Sequence, residues 1–373
     1  MNPTPPADSS PPIPPSASLL RILDASSNRA REGLRVLEDF VRLTLDDPYL
    51  TQQLKDWRHR LAAAFSCIPD QPLLASRETQ RDVGTRTSTS SEWIRSDLSE
   101  VVRANFKRLQ ESLRSLEEYG KVLDIKFAQQ LEQLRYESYT LERAIWTTSQ
   151  SQTRLSGIKL YVLVTSDQTS LGFEATVKAA LKGGAQIIQL REKNLPDRII
   201  LERARKIRKW THNANAIFIM NDRPDIALLA QADGVHIGQD ELNVKDTRVV
   251  IGPSKLIGVS THSLIQAQQA VRDGADYIGI GPVFPSKTKA FDNYAGLSLV
   301  CEITRSIRLP SFAIGGIDNG NIGQVLESGA SRVAVSAAIC QTENPYDATC
   351  SLRAILNAFS NHRGDQSQTT PTS

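Results

Sequence analysis

From Lys159 onward, eight short apolar runs alternate with helical segments, and no other feature limits the possible folds as much. The runs are KLYVLVTS (159–166), QIIQLREK (186–193), AIFIMND (216–222), GVHIGQ (234–239), LIGVSTH (256–262), YIGIGPVF (277–284), SFAIGGI (311–317) and RVAVSAAI (332–339). Each is followed by a plausible helix or helical turn. Strand–helix alternation of this regularity argues for a parallel sheet. Eight units within about two hundred residues fit a compact (β/α)8 TIM barrel, placed at residues 158–358. An open doubly wound sheet is the alternative. It usually has fewer units, and no G-x-G-x-x-G follows the first run.

The preceding residues read differently. Leu19, Ile22, Leu23, Leu34, Leu37, Phe40, Val41 and Leu45 recur at helical spacing, so residues 18–147 are expected to form an all-α N-terminal domain. Asp24 to Asn28 supplies capping-type residues and is expected to interrupt the first helix. Asp46-Asp47-Pro48 is a stop and restart. LASRETQRDVGTRTSTSSEW (74–93) has no period and reads as a long polar loop; helical spacing returns from about Leu98 to Trp146. REGLRVLEDFVR (31–42) aligns with QESLRSLEEYGK (110–121), a weak internal repeat. It reads either as two similar amphipathic helices packed together, with charges paired at i,i+3 or i,i+4, or as a pseudo-symmetric domain with a functional polar loop. The polar stretch TSQSQTRLSG (148–157) is expected to be a linker. Residues 1–17, rich in Pro and Ser, and residues 359–373 are expected to be disordered tails.

Composition excludes several classes. A formal net charge of +3, with signs mixed along the chain, does not argue for nucleic acid as a partner. No apolar stretch is long enough to span a membrane, and the N-terminus lacks a signal-peptide pattern. The four cysteines form neither a CxxC nor a Cys/His cluster, so a reduced, cytoplasmic setting is the default.

In a barrel of this kind, polar chemistry gathers where the strands end. The second run ends in Arg191, Glu192 and Lys193, the third in Asn221-Asp222, and the fourth runs into Gln239-Asp240-Glu241. The fifth ends in Ser260-Thr261-His262, the sixth in Ser286, Lys287, Thr288 and Lys289, the seventh in Gly315-Gly316, and the eighth passes through Ser336. Cations and hydroxyls suit phosphate oxygens. Carboxylates beside phosphates usually hold Mg2+. The inventory therefore has room for two phosphorylated ligands, one with the metal near runs two to five and one near runs six to eight. Each element also has a plainer reading: Asn-Asp as a turn, Gly-Gly as a tight corner, the Ser/Lys/Thr cluster as solvated loop, and His236 and His262 as core or hydrogen-bonding residues.

QLREK, ND, DGVHIGQDE, GVSTH, GPVFPSKTK, AIGGI and VAVSAAI, in that order, resemble the signature of thiamine phosphate synthase over residues 158–358. That family joins hydroxymethylpyrimidine diphosphate to thiazole phosphate, releasing diphosphate. The resemblance implies that Gln189, Leu190, Arg191, Glu192 and Lys193 bind the pyrimidine diphosphate, with Asn221, Ser260 and Lys289 completing its shell. It implies Asp222 and Glu241 as Mg2+ ligands, and Ser286, Lys287, Thr288, Gly316, Val335 and Ser336 at the thiazole phosphate. Arg191, Lys193 and Lys289 would stabilise the leaving diphosphate. The family commonly has Asp where this chain has Glu241, which leaves open whether Asp240 or Glu241 reaches the ion, and often Thr in place of Ser286.

No nucleophilic side chain or strong general base is needed. Departure of diphosphate leaves a ring-stabilised methylene cation that the thiazole nitrogen captures. A thiazole phosphate tautomerase-like isomerase is the close alternative and would need a proton-transfer residue such as His236 or His262. A non-catalytic, regulatory phosphate-binding barrel is the third reading.

The N-terminal half, through NRAREGLRVLED, RDVGT, ANFKRLQESLRSLEEYGK and LRYESYTLE, resembles a helical extension of long thiamine phosphate synthases, for which hydroxymethylpyrimidine phosphate kinase activity has been suggested. Arg77, Arg81, Asp82, Gly84 and Arg86 are candidates for phosphate there, although no Walker-type loop occurs. Packing, or assembly of a homo-oligomer, is the alternative role.

Overall fold

The structure is a computed structural model. It describes residues 16–77, 94–285 and 294–367, with side chains up to 359. By internal contacts the chain forms two units, residues 1–44 with 51–142, and residues 45–50 with 143–373.

The first five helices are α1 (Ala17–Leu43), α2 (Pro48–Ala64), α3 (Asp70–Ala75), α4 (Leu98–Leu123) and α5 (Ile125–Arg154); they make up the first unit, except that the first residues of α2, and α5 from residue 143 onward, count with the second. α1 begins where Ser16 Oγ accepts from Leu19 N. It runs unbroken through Asp24–Asn28, contrary to the expected interruption. The capping-type residues there are satisfied sideways: Ser26 Oγ bonds Ser115 Oγ at 3.1 Å, and Asp24 receives Arg77 in a two-pronged pair at 2.6 and 2.9 Å. α1 packs along α4 through Leu23, Leu34, Leu37 and Val41 on one side and Phe106, Leu109, Leu113 and Leu116 on the other.

The repeat has a structural meaning beyond amphipathicity. Its aligned glutamates, Glu38 and Glu117, are 3% and 2% exposed. Each is met by an arginine three residues earlier and by one from another helix: Arg35 and Arg58 for Glu38, Arg114 and Arg135 for Glu117. A carboxylate taken out of water requires such partners.

Two expected boundaries move. The stretch expected as a linker is helical as far as Arg154, and the C-terminal helix continues past residue 359, to Ser367. The polar loop, including Arg81, Asp82, Gly84 and Arg86, falls mostly outside the described residues.

The second unit holds β1 (Leu160–Val164), β2 (Ile187–Leu190), β3 (Ile217–Asn221), β4 (Gly234–Ile237), β5 (Leu256–Thr261), β6 (Tyr277–Ile280), β7 (Ser311–Ile314) and β8 (Val333–Val335). All pairings are parallel, and β1 pairs with both β2 and β8, so the sheet closes. The connecting helices are α6 (Phe173–Lys182), α7 (Asp197–Asn213), α8 (Pro224–Leu229), α9 (Val244–Ile251), α10 (Leu264–Asp273), α11 (Gly296–Ser306), α12 (Ile322–Glu327), α13 (Ala337–Cys340) and α14 (Pro345–Ser367). The expected TIM barrel preceded by helices is the observed architecture.

Inside the barrel, Tyr161, Ile187, Ile219, Leu256, Tyr277, Phe312 and Ala334 form one buried cluster with Leu155. Gly258 is required by this packing, because a Cβ there would enter the Tyr277 ring. At the N-terminal ends of the strands, Asp276 accepts from Ile257 N (2.8 Å), Arg248 (2.6 Å) and Ser151 Oγ (3.4 Å), which accounts for that polar cluster structurally. Among the described residues no helix is long and apolar enough to cross a membrane.

The buried Glu117 sets a stability test. Arg135→Leu removes its closest guanidinium, at 2.7 Å, and is expected to cost about 3–5 kcal/mol in chemical denaturation. Arg114→Ala, which removes a half-exposed partner, is expected to cost about 1 kcal/mol or less. Equal losses for the two variants would contradict this ranking.

Candidate active site at the barrel mouth

Side chains alternate along a strand. β2 turns Ile187 and Gln189 toward the axis, and Arg191 and Lys193 continue that series beyond the strand. Leu190 and Glu192, expected with the substrate-binding residues, face the other way. Leu190 is fully buried. Glu192 accepts from Ser166 N and Ser166 Oγ and pairs with Arg203 of α7 at 3.0 Å. Only the backbone of these two is available to a ligand in the mouth.

Next to this series the end of β3 delivers Asn221 and Asp222. Asp222 has φ +59, so the chain turns sharply as it leaves the sheet. Its amide donates to His236 O at 2.8 Å, and its carboxylate receives Asn221 Nδ2 at 2.5 Å and lies 3.9 Å from Lys193 Nζ. Burial, and then the carboxylate of Glu241, push the Asp222 carboxyl above its ordinary value; Lys193, Asn221 and Arg191 pull it back. The Glu241 carboxylate folds against Gly238, occupying space that any side chain there would need. Residues from three strand ends, far apart in sequence, thus form one corner with two carboxylates and two cations.

A half-buried Asp222 carboxylate with a second carboxylate, Glu241, acting on it fits a hard divalent cation. Mg2+ is usually held by one or two carboxylates plus substrate phosphates and water. Among the described residues no group of three or more His, Cys, Asp or Glu could hold a metal alone.

Across the mouth, Gly315 and Gly316 have φ +106 and +63. A side chain at Gly316 would enter the Phe284–Pro285 backbone, so the two loops abut, and Gly316 O accepts from Asn321 Nδ2 at 2.7 Å. Val335 ends β8 with its side chain buried, and Ser336 follows it. Ser286, Lys287, Thr288 and Lys289 lie outside the described residues.

The interior joins Gln189, His236 and Ser260 through two tyrosines, Tyr161 and Tyr277, that the sequence reading did not single out. Gln189 Nε2 donates to Tyr161 Oη at 2.5 Å, and Tyr161 Oη meets Tyr277 Oη at 3.0 Å. Tyr277 Oη meets His236 Nδ1 at 3.2 Å, and His236 Nε2 meets Ser260 Oγ at 2.9 Å. The available signal was a tyrosine at an inward strand position, since a buried phenol needs a partner. Desolvation pushes the His236 imidazole down to about 4, which removes it as a base near neutrality. His262 Nδ1 faces Gly281 O at 2.5 Å. Both histidines are hydrogen-bonding residues of the scaffold.

Two family models match the chain: Thiamine monophosphate synthase over residues 160–339 and the ThiD2 family over residues 21–144. A thiamine-phosphate synthase of Rhodopirellula baltica is 42% identical over 350 residues, covering 91% of this chain and 93% of its own. One from Synechocystis is 43% identical over 340 residues, covering 91% and 97%. The solved thiamine phosphate pyrophosphorylase from Pyrococcus furiosus is 36% identical with a TM-score of 0.50, covering 54% of this chain and 96% of its own. Likeness to full-length relatives, shared across both units, joins the barrel geometry to one conclusion: the chain belongs to the thiamine-phosphate synthase family.

Proposed function

We propose that the barrel mouth carries out the thiamine-phosphate synthase reaction with the acid–base corner at one phosphorylated substrate and the Gly316–Ser336 side at the other. The C–O bond of hydroxymethylpyrimidine diphosphate breaks, diphosphate leaves with the electron pair, and the thiazole phosphate nitrogen forms the new C–N bond to the methylene carbon. The observation that carries this reading is the corner itself, with Lys193 and Glu241 both acting on Asp222. Arg191 and Lys193, with Lys289, bind the diphosphate and meet the charge that grows as the bond breaks. Gln189, Asn221 and Ser260 orient the pyrimidine. Gly316, Val335 and Ser336, with Ser286, Lys287 and Thr288, bind the thiazole phosphate. Asp222 and Glu241 are the residues that would hold Mg2+, which supplies charge neutralisation to the leaving group when bound. The isomerase alternative loses its best candidate base, because His236 has hydroxyls at both ring nitrogens. A reduced, cytoplasmic setting belongs to the same reading and agrees with four free cysteines.

The direct test incubates the purified chain with both substrates and Mg2+ and follows thiamine phosphate and diphosphate together. One equivalent of each supports the reading; isomerised thiazole phosphate without diphosphate overturns it. Replacing the pyrimidine diphosphate by its monophosphate plus ATP tests the suggested kinase role of the helical unit, for which product formation is required. In the same assay Glu241→Ala is expected to raise the Mg2+ concentration for half-maximal rate more than Asp240→Ala does. Matching Mg2+ titrations for wild type and Glu241→Ala would remove Glu241 from the metal.

The two sides should also separate kinetically. Lys193→Met is expected to lower kcat with little change in melting temperature, because the lysine is half-exposed and its loss opens no cavity. Ser336→Ala is expected to raise KM for thiazole phosphate by about 10–150-fold, the range for a lost hydrogen bond to a charged group. KM for the pyrimidine diphosphate should stay put. If that constant moves alone, the two phosphates are assigned the wrong way round.

A further inference from the structure

The hydrogen bonds inside the barrel form one unbranched chain, Gln189–Tyr161–Tyr277–His236–Ser260, contributed by β2, β1, β6, β4 and β5. Its two end residues face the mouth, and its three middle residues do not appear in the functional roles above. Tyr161, Tyr277 and Gln189 are buried, and the Tyr161 and Tyr277 rings pack edge-on against Phe312. Little else can therefore satisfy these hydroxyls, and each link constrains the next.

A phenol has one proton to donate, and a neutral imidazole has one N–H. Because Gln189 Nε2 donates to Tyr161, the Tyr161 proton goes to Tyr277, and the Tyr277 proton goes to His236 Nδ1. The imidazole proton is then on Nε2 and points to Ser260 Oγ, which leaves the Ser260 proton free to point into the mouth. At the other end Gln189 Oε1 is buried and has no hydrogen-bond partner. The chain thus ends in an acceptor on one side and a donor on the other. Reversing either end requires reversing every link.

We propose that Tyr161, Tyr277 and His236 are positioning residues that couple Gln189 to Ser260, so that the mouth offers a ligand one fixed acceptor and one fixed donor, complementary to the amino group and ring nitrogen of an aminopyrimidine. This inference rests on the substrate reading given above and assigns the ring specificity within it. A buried acceptor left unpaired is costly, so the unfilled Gln189 Oε1 favours a ligand that brings an N–H. The tyrosines and the histidine need not touch the ligand to select it.

The test is a double-mutant cycle in the full chain, read as the dissociation constant for hydroxymethylpyrimidine diphosphate. Gln189→Leu and Ser260→Ala are combined in the native background and again with Tyr277→Phe, which keeps the ring and cuts the chain. In the native background the two effects are expected to be non-additive by about fivefold or more, and with Tyr277→Phe this coupling is expected to shrink toward additivity. The nitrogen-15 spectrum of His236 is expected to show the Nε2-protonated tautomer in the native chain. An unchanged coupling factor in folded Tyr277→Phe protein, or an Nδ1-protonated tautomer in the native chain, overturns the proposal. If Tyr277→Phe fails to fold, Tyr161→Phe cuts the same chain and carries the same two outcomes. A native chain that does not bind the pyrimidine diphosphate at all overturns the substrate reading, and with it this inference, and is distinguishable from a lost coupling.

Discussion

Closure of a parallel sheet obliges every second strand residue to face one axis, and the mouth depends on that alternation. On β2 it places Gln189, Arg191 and Lys193 together and sends Leu190 and Glu192 toward the helices. A slip by one residue would exchange the two sets. The outward set is pinned: Glu192 is held by Ser166 and by Arg203 of α7. An ion pair on the outside of the barrel thereby helps fix the register of the cations on the inside. The same rule brings Asn221, His236 and Ser260 inward on β3, β4 and β5.

The corner at Asp222 is built against its own stability. Burial and Glu241 both disfavour the Asp222 carboxylate, and the nearest cation stands at 3.9 Å, at the limit of an ion pair. In an ordinary core such a group would be neutralised or replaced. Under the proposed function the imbalance is preorganisation, because a ligand that brought a divalent cation and phosphates would satisfy both the carboxylates and the cations beside them. The barrel interior behind the corner is the opposite case. Among its buried polar atoms the tyrosine hydroxyls are bonded to neighbours, whereas Gln189 Oε1 has no partner.

Much of this was legible in the sequence because it is written in local pattern. Eight apolar runs with charged or hydroxyl-bearing ends specify both the barrel and the end that holds polar groups. What was not legible depends on distance. Asp24–Asn28 looked like a cap, but Ser115 and Arg77, 89 and 53 residues away from the atoms they bond, satisfy it without breaking α1. The buried state of Glu38 and Glu117 could not be read from the repeat, since the same charge pattern suits an exposed face; the second arginine of each comes from a different helix. A contiguous motif groups Leu190 and Glu192 with Arg191, yet strand alternation alone sends Glu192 outward toward the helices, and that is where Ser166 and Arg203 hold it. The hydrogen-bond chain through Tyr161 and Tyr277 joins five strands, and no local spacing announces it.

The central claim is that the carboxylates of Asp222 and Glu241 and the cations of Arg191 and Lys193 form one site for metal-bound diphosphate. Anomalous diffraction from crystals of the full chain grown with Mn2+ and inorganic diphosphate addresses it without relying on turnover. The account predicts a manganese peak within coordination distance of Asp222 and Glu241, with diphosphate bridging to Arg191 and Lys193. A peak at the opposite end of the barrel, near Asp276, or diphosphate bound without these four residues, would contradict it.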